Sequence, residues 1–386
     1  MDIKRRPALS KAFACTSLLT FSLSAGSALA SITSLSNLFV FGDSFSDSGN
    51  AYQMSFQNIM PSPPYDGGRF TNGPVTVEYL WQNFNPGDDS FKPSQNGGTN
   101  YAVGGATSGR ENYLSWYLWD QPFPTWTLAE FFSRTGNAWQ LAKFKSAKPT
   151  FDPGTSLFAV WMFPNDIFTE FWPSNNFQGI GTYDGQPSPN GVDNIVPTAV
   201  RNVIGTVEEL ATEGARHFLV PNTPDLGKLP FFSANPNRDL ATVLSHEFNA
   251  RLDQQLAQLA AARPELDIIS YRTQDFINAI MSNPSAYGIS NAADACLDDT
   301  VSPAVVCATP ETYLYWDSVH PTTTVQRLLS QRMYERVRIG GGAAVPAPIP
   351  ALGGLAALGW SRSLRRRIRL HSQKTSRSCA GRSPAS

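Results

Sequence analysis

The sequence predicts an α/β fold: a parallel sheet covered by helices on both faces. Three observations predict it. Short apolar, β-rich runs recur along the chain, and helical patterns stand between them. Strands that alternate with helices are the mark of βαβ units. The composition, 41% hydrophobic and 16% charged over 386 residues, supports a substantial core and argues against disorder. No internal repeat is apparent.

Taken in order, the chain opens on an export signal at residues 1–30. Lys4, Arg5 and Arg6 form a basic start, residues 13–23 are mostly apolar, and Ala28-Leu29-Ala30 is a small-x-small cleavage site. The mature chain is expected to begin at Ser31. Arg5-Arg6 has poor flanks for twin-arginine export, and Cys15 lacks a lipobox. Leu38-Phe39-Val40-Phe41 reads as the first buried strand. Residues 157–161, Phe218-Leu219-Val220 and Leu266-Asp267-Ile268-Ile269 read as the next three. Helical patterns occupy 195–210, 240–259 and 276–281. The stretch 168–191, rich in aromatics, Pro, Gly and Asn, reads as an irregular excursion. The folded domain is expected to span 31–338, with a linker and tail at 339–386.

The net charge of −1 supplies no basic field to recruit nucleic acid. Aromatics make up 12% of the chain, and many fall between Tyr113 and Trp172. They serve either as packing or as an apolar substrate wall or mobile flap. Of four cysteines, Cys15 leaves with the signal and Cys379 sits in the tail. Cys296 and Cys307 therefore form the expected disulfide in an oxidising compartment, closing a short loop before Asp317 and His320. No His or Cys cluster has metal-ligand spacing, so neither metal nor cofactor is expected.

The chemistry gathers in three places. First, the strand ending at Phe41 runs into Gly42-Asp43-Ser44, and catalytic groups of parallel sheets collect at the carboxyl ends of strands. Second, a serine nucleophile needs a base, and the base needs an orienting acceptor. Asp317-Ser318-Val319-His320-Pro321 offers both within one turn, with Pro321 suited to open a helix. His217 and His246 lie in a predicted strand and helix, and His371 in the tail, so His320 is the candidate base. Third, an oxyanion needs preorganised donors. The glycines in Asn100-Tyr101-Ala102-Val103-Gly104-Gly105-Ala106 let a backbone N–H approach a ligand closely. Asn165-Asp166, after a predicted strand, offers a side-chain amide.

These blocks, in this order, resemble the GDSL/SGNH hydrolase family. The resemblance runs from about Leu38 to Arg338. It also takes in Gly68-Arg69-Phe70-Thr71-Asn72-Gly73-Pro74, the run 220–227, and Tyr313-Leu314-Tyr315-Trp316. It implies a three-layer α/β/α sandwich, flavodoxin-like in outline, with about five parallel strands. It implies Ser44 as nucleophile, His320 as base and then acid, and Asp317 as its orienter. It implies an oxyanion hole from the N–H groups of Ser44 and Gly105 and the amide of Asn165. Gly105 is chosen over Gly104 because the family glycine lies five residues after the leading Asn, here Asn100. Asp43 and Asp166 are expected to be structural. Two departures stand out. Phe45 replaces the Leu of the family name. Phe163-Pro164 replaces the glycine before Asn-Asp, which predicts a narrowed site or a shifted Asn165 loop.

The tail resembles a PEP-CTERM sorting signal of the VPLPA-like form. Gly340-Gly341-Gly342 precedes Val345-Pro346-Ala347-Pro348, an apolar run at 349–360, and the arginines 362, 365, 366, 367 and 369. The run is short for a span of ~20 residues, but snorkelling arginines extend its reach. The basic end fits the cytoplasmic side of a membrane. The resemblance implies an exosortase-like protease as partner and a Gram-negative host. The protein would pass through transient inner-membrane anchoring to the periplasm, surface or matrix. The expected activity is two-step hydrolysis of small-molecule or lipid acyl esters, with Trp116, Trp119 and Trp126 favouring acyl or aryl groups. Carbohydrate deacetylation and phospholipid hydrolysis use the same scaffold. A non-catalytic surface or matrix binding protein is the contrasting class, and the complete set of catalytic residue types argues against it.

Overall fold

The apolar runs pair as expected. The computed structural model describes residues 32–56, 60–120, 126–171 and 179–341. The expected export signal, the tail beyond Gly341 and the side chain of Trp126 lie outside the described residues. The central sheet consists of β1 (Asn37–Gly42), β2 (Ser156–Trp161), β3 (His217–Pro221) and β4 (Asp267–Tyr271), parallel and in that order. Every residue of β2 and β3 is buried, as strands covered on both faces must be.

About five strands were expected, and four are regular. Residues 99–103 take the fifth position, beside β1. The Val40 N–H donates to the Thr99 carbonyl (3.2 Å), Tyr101 N–H to Val40 (2.8 Å) and Val103 N–H to Gly42 (3.1 Å). The other side of this segment is bonded locally: Asn100 N–H donates to the Lys92 carbonyl and Ser94 N–H to that of Asn100. This local pairing leaves isolated bridges where a regular strand was expected.

The helices are α1 (Asn50–Met54), α2 (Thr76–Phe84), α3 (Tyr113–Trp119), α4 (Trp126–Phe132), α5 (Asn137–Ala147), α6 (Pro164–Glu170), α7 (Val192–Thr212), α8 (Arg238–Ala262), α9 (Thr273–Ser282) and α10 (Thr323–Ile339). Helices α5 and α7 lie against β1 and β2, and α8 packs on α7 and β4. Phe39 and Phe41 both meet Phe144 of α5 edge-on, and Phe39 stacks on Phe158 at 4.7 Å. Burying each such ring contributes roughly 2–3 kcal/mol. Leu38 and Val40 are buried too, and alternation turns them to the opposite face. The pair α2 and α10 forms the second helical layer, with α10 against β4. The result is the three-layer α/β/α sandwich.

Two local readings need correction. Phe168 belongs to α6 rather than to the irregular excursion. Pro321 does not open α10, which starts at Thr323. The Trp316 N–H bonds the His320 carbonyl and the Thr322 N–H bonds that of Leu314, so residues 320–322 are held beside the preceding strand. That strand, β8 (Tyr313–Tyr315), pairs with β5 (Asn291–Ala295); β6 (Leu297–Asp298) and β7 (Val305–Val306) form a small hairpin nearby.

Candidate active site

Ser44 sits one residue beyond Asp43 at the end of β1. The turn is tight: the Asp43 carbonyl accepts from the N–H groups of Ser46 (3.0 Å) and Asp47 (2.9 Å), and Asp43 Oδ1 from Phe45 N–H (3.0 Å). Gly42 is closely packed: an added Cβ would lie 3.0 Å from that of Ser46. Asp47, fully buried, does more than its sequence position suggests. Its Oδ1 accepts from Gly49 and Asn50 N–H, and its Oδ2 from Ala51 and Gly104 N–H. One carboxylate therefore starts α1 and ties the serine turn to the glycine loop. Asn100 adds a second tie, donating to the Ser46 carbonyl and the Ser48 hydroxyl.

His320 and Asp317 come from the far end of the chain. His320 Nε2 lies 2.7 Å from Ser44 Oγ, and His320 Nδ1 lies 2.8 Å from Asp317 Oδ2. Asp317 Oδ1 accepts from the N–H groups of Val319 (2.8 Å) and His320 (2.6 Å). Burial pushes the Asp317 carboxyl up, but the charge and hydrogen bonds of His320, with the Val319 amide, outweigh it and hold it below the usual carboxylate range. The loop after Tyr65 braces this turn. Thr71 Oγ1 donates to the Pro321 carbonyl (2.8 Å), Thr323 N–H donates to Asn72 (2.8 Å), and the Phe70 ring lies 5.5 Å from that of His320. Arg69 forks onto Glu78 of α2. The other histidines stand elsewhere: His217 pairs with Asp267 across β3 and β4, and His246 is exposed on α8.

The glycine loop separates two roles. The Gly104 N–H is taken by Asp47 (2.8 Å), and a Cβ at Gly104 would meet the Phe70 ring at 2.2 Å. Gly105 adopts φ +78°. The N–H groups of Ser44 and Gly105 have no protein acceptor among the described residues. Asn165, at the start of α6, donates from Nδ2 to the Ala106 carbonyl at 3.2 Å, which fixes its amide next to this loop. Ser44, Gly105, Asn165 and His320 all line one cavity of about 80 Å³.

The rest of the lining is apolar: Phe45, Phe70, Tyr113, Phe168 and Phe231 form an aromatic wall. Two of these, Tyr113 and Phe168, come from the aromatic-rich stretch 113–172. Trp116 and Trp119 are not in the lining; Trp119 is 58% exposed on the outer end of α3. Helices α3 and α4 carry a second hydrophobic core of their own, which reaches the cavity through Phe70 and Leu114.

A family model described as GDSL-like Lipase/Acylhydrolase matches residues 38–333. The chain belongs to this family. It is 25% identical over 360 residues to a GDSL esterase/lipase of Arabidopsis thaliana, covering 81% of this chain and 91% of the relative. It is 26% identical over 338 residues to the phosphatidylcholine-sterol acyltransferase of Aeromonas hydrophila, covering 77% and 88%. It is 25% identical over 320 residues to the thermolabile hemolysin of Vibrio parahaemolyticus, covering 78% and 63%.

Against GDSL hydrolases the departure at Phe163 has a plain outcome. Phe163 holds φ 140°, a conformation that favours glycine. Its ring turns away from the cavity and stacks on Phe248 of α8, with centroids 3.9 Å apart and planes 5° from parallel. Only Pro164 of the pair lines the cavity. Phe45, in place of the family's Leu, stacks on Trp161 at 5.5 Å. Asp43 and Asp166 are both fully enclosed. Burial raises each to about 7, against opposing hydrogen bonds from Phe45 N–H to Asp43 and from Ser108 to Asp166. Burial likewise raises Asp47 to about 6. Cys296 and Cys307 stand at bonding distance, 2.01 Å between sulfurs. Their loop is bonded to the approach to Asp317, with Cys296 N–H on the Tyr315 carbonyl and Leu297 N–H on that of Trp316.

Proposed function

We propose that the protein is an exported serine ester hydrolase with Ser44 as nucleophile, His320 as base and Asp317 as its orienter. The observation that carries this reading is the unbroken chain from Ser44 Oγ through His320 to Asp317, at 2.7 and 2.8 Å. It opens on the cavity that Gly105 and Asn165 also line. Ser44 Oγ attacks the ester carbonyl carbon as His320 Nε2 takes the hydroxyl proton. Negative charge collects on the carbonyl oxygen, facing the N–H groups of Ser44 and Gly105 and the Asn165 amide. His320 returns the proton to the leaving alcohol, and an acyl-Ser44 ester remains. Water, deprotonated by His320, then releases the acid. Asp317 keeps the imidazole in the tautomer that presents Nε2 to Ser44.

The cavity supports short acyl or aryl esters: it is aromatic, and small beside the roughly 300–1,000 Å³ of drug-sized ligand sites. A panel of acetyl, long-chain and phospholipid esters tests this, with Ser44→Ala as the blank. Turnover of the short esters that vanishes in Ser44→Ala is expected. Equal turnover by wild type and Ser44→Ala overturns the assignment. The Aeromonas relative's name favours a second reading, acyl transfer to an alcohol. Product analysis with a sterol present separates ester transfer from release of free acid.

Export accompanies this function in our reading. Residues 1–30 would be removed, Cys296 and Cys307 oxidised, and the tail cut by a sorting protease within 346–350. Mass spectrometry of the surface or secreted form checks both ends. A mature protein that still ends at Ser386 contradicts the sorting signal.

A further inference from the structure

Asp317 carries one donor more than the triad requires. Its Oδ2 accepts His320 Nδ1 at 2.8 Å and also the Tyr65 hydroxyl at 2.8 Å. Imidazole and phenol thus share a single carboxylate oxygen, while both N–H bonds of the turn fall on Oδ1.

Tyr65 is held for this contact. Its ring meets Trp316 edge-on at 6.2 Å and Phe70 at 6.5 Å. The Tyr65 N–H donates to the Ser62 carbonyl, and the next residue, Asp66, bonds Thr71 and Arg69. Thr71 in turn bonds Pro321. The loop is thus closed on itself around the phenol and tied to the Asp317 turn just after it. Burial, then the Asp317 charge and the hydrogen bond to it, keep the phenol far above its usual range, so it remains a protonated donor.

Resting on the triad reading above, we propose that Tyr65 is a positioning residue of the active site. Its hydroxyl pins Asp317 Oδ2 and takes part of that oxygen's charge, so that Asp317 stabilises an imidazolium less than an unshared carboxylate would. Two consequences follow. Without the hydroxyl, Asp317 is a stronger partner for protonated His320, and the base is neutralised by protons at higher pH. The carboxylate also loses one of its fixed contacts, which lowers kcat while leaving substrate binding alone.

Other charged groups share these surroundings. The Asp43 carboxyl faces His320 from the serine turn, Asp299 faces Asp317 and Tyr65 from the cysteine loop, Asp298 adjoins Asp299, and Tyr117 faces Tyr65 from α3. None is altered by removing one oxygen from Tyr65, so a changed profile reports the phenol.

The test is the pH dependence of kcat/KM for a short aryl ester, measured on the full protein. In Tyr65→Phe the acid limb is expected to move up by about 0.5–1 pH unit, with kcat on the plateau lower and KM unchanged. Fluorotyrosine placed at position 65, a stronger donor that keeps the contact, is expected to move the limb down. That second protein retains the whole side chain, so the test survives if Tyr65→Phe folds poorly. Limbs that coincide with wild type in both proteins, or that move in the opposite directions, overturn the proposal. Persistent turnover in Ser44→Ala would instead overturn the triad reading on which it rests.

Discussion

Phe163 offers a stability experiment whose sign is unusual. Its backbone lies at φ 140°, ψ −37°, and such a conformation costs a non-glycine residue on the order of 1–3 kcal/mol. The fully buried ring, stacked on Phe248 at 3.9 Å, offsets that cost. Phe163→Ala removes the ring and keeps the strain, for a loss of about 3–5 kcal/mol. Phe163→Gly removes the ring and the strain together. Glycine's greater freedom in the unfolded chain takes back about 0.4–1 kcal/mol. Glycine should therefore be the more stable of the two by about 0.5–2 kcal/mol, the reverse of the ordinary order. Urea unfolding of both variants, compared with wild type at matched slope, measures the difference. An alanine variant as stable as the glycine variant, or more so, would refute the argument from backbone strain.

Three further outcomes follow from the site. Asn165→Ala should lower kcat by about 10²–10³ with far less change in substrate binding; an unchanged kcat would mean that another group holds the oxyanion. Cys307→Ser should lose about 2–3 kcal/mol of stability, the chain-entropy value for a loop of separation 11, and thiol labelling of the unreduced protein should find neither cysteine reactive. Asp43, Asp47 and Asp166 have folded values raised to about 7, 6 and 7 from 3.8. The folded state then holds more protons than the unfolded one, so their contribution is greatest below about pH 4 and declines as pH rises toward 7. Thermal melts of Asp166→Asn across that window should show a shallower decline than wild type, and parallel curves would contradict it.

The scaffold was legible because buried parallel strands are apolar on both faces. All four runs became strands, and the helices at 195–210, 240–259 and 276–281 reappear two or three residues longer at most ends. Helix ends are fixed by neighbours, as Thr322 shows: its bond to Leu314 delays α10. Strand β5 escaped notice because Asn291-Ala292-Ala293-Asp294-Ala295 has no apolar run; pairing with β8 makes it a strand. Ser44, Asp317, His320, Gly105 and Asn165 were legible as residue types in blocks; four of them line one cavity, and Asp317 stands behind His320 at 2.8 Å. Tyr65 was not, since its partner lies 252 residues away. Asp47 was a usable signal, since an acidic residue just before α1 favours a helix start. The aromatic wall was legible only in part, because density of aromatics along the chain does not say which rings face inward: Tyr113 and Phe168 do, Trp116 and Trp119 do not. Phe45, Phe70 and Phe231 come from three separate parts of the chain.

The central claim is that Ser44 is a nucleophile made reactive by His320 and Asp317. Reaction with an organophosphonate, followed by peptide mass spectrometry, tests it most directly. The account predicts one phosphonyl group per chain, on Ser44, with hydrolysis lost in proportion and no labelling of His320→Ala. An active enzyme that leaves Ser44 unlabelled, or that is labelled at another serine as activity disappears, would contradict it.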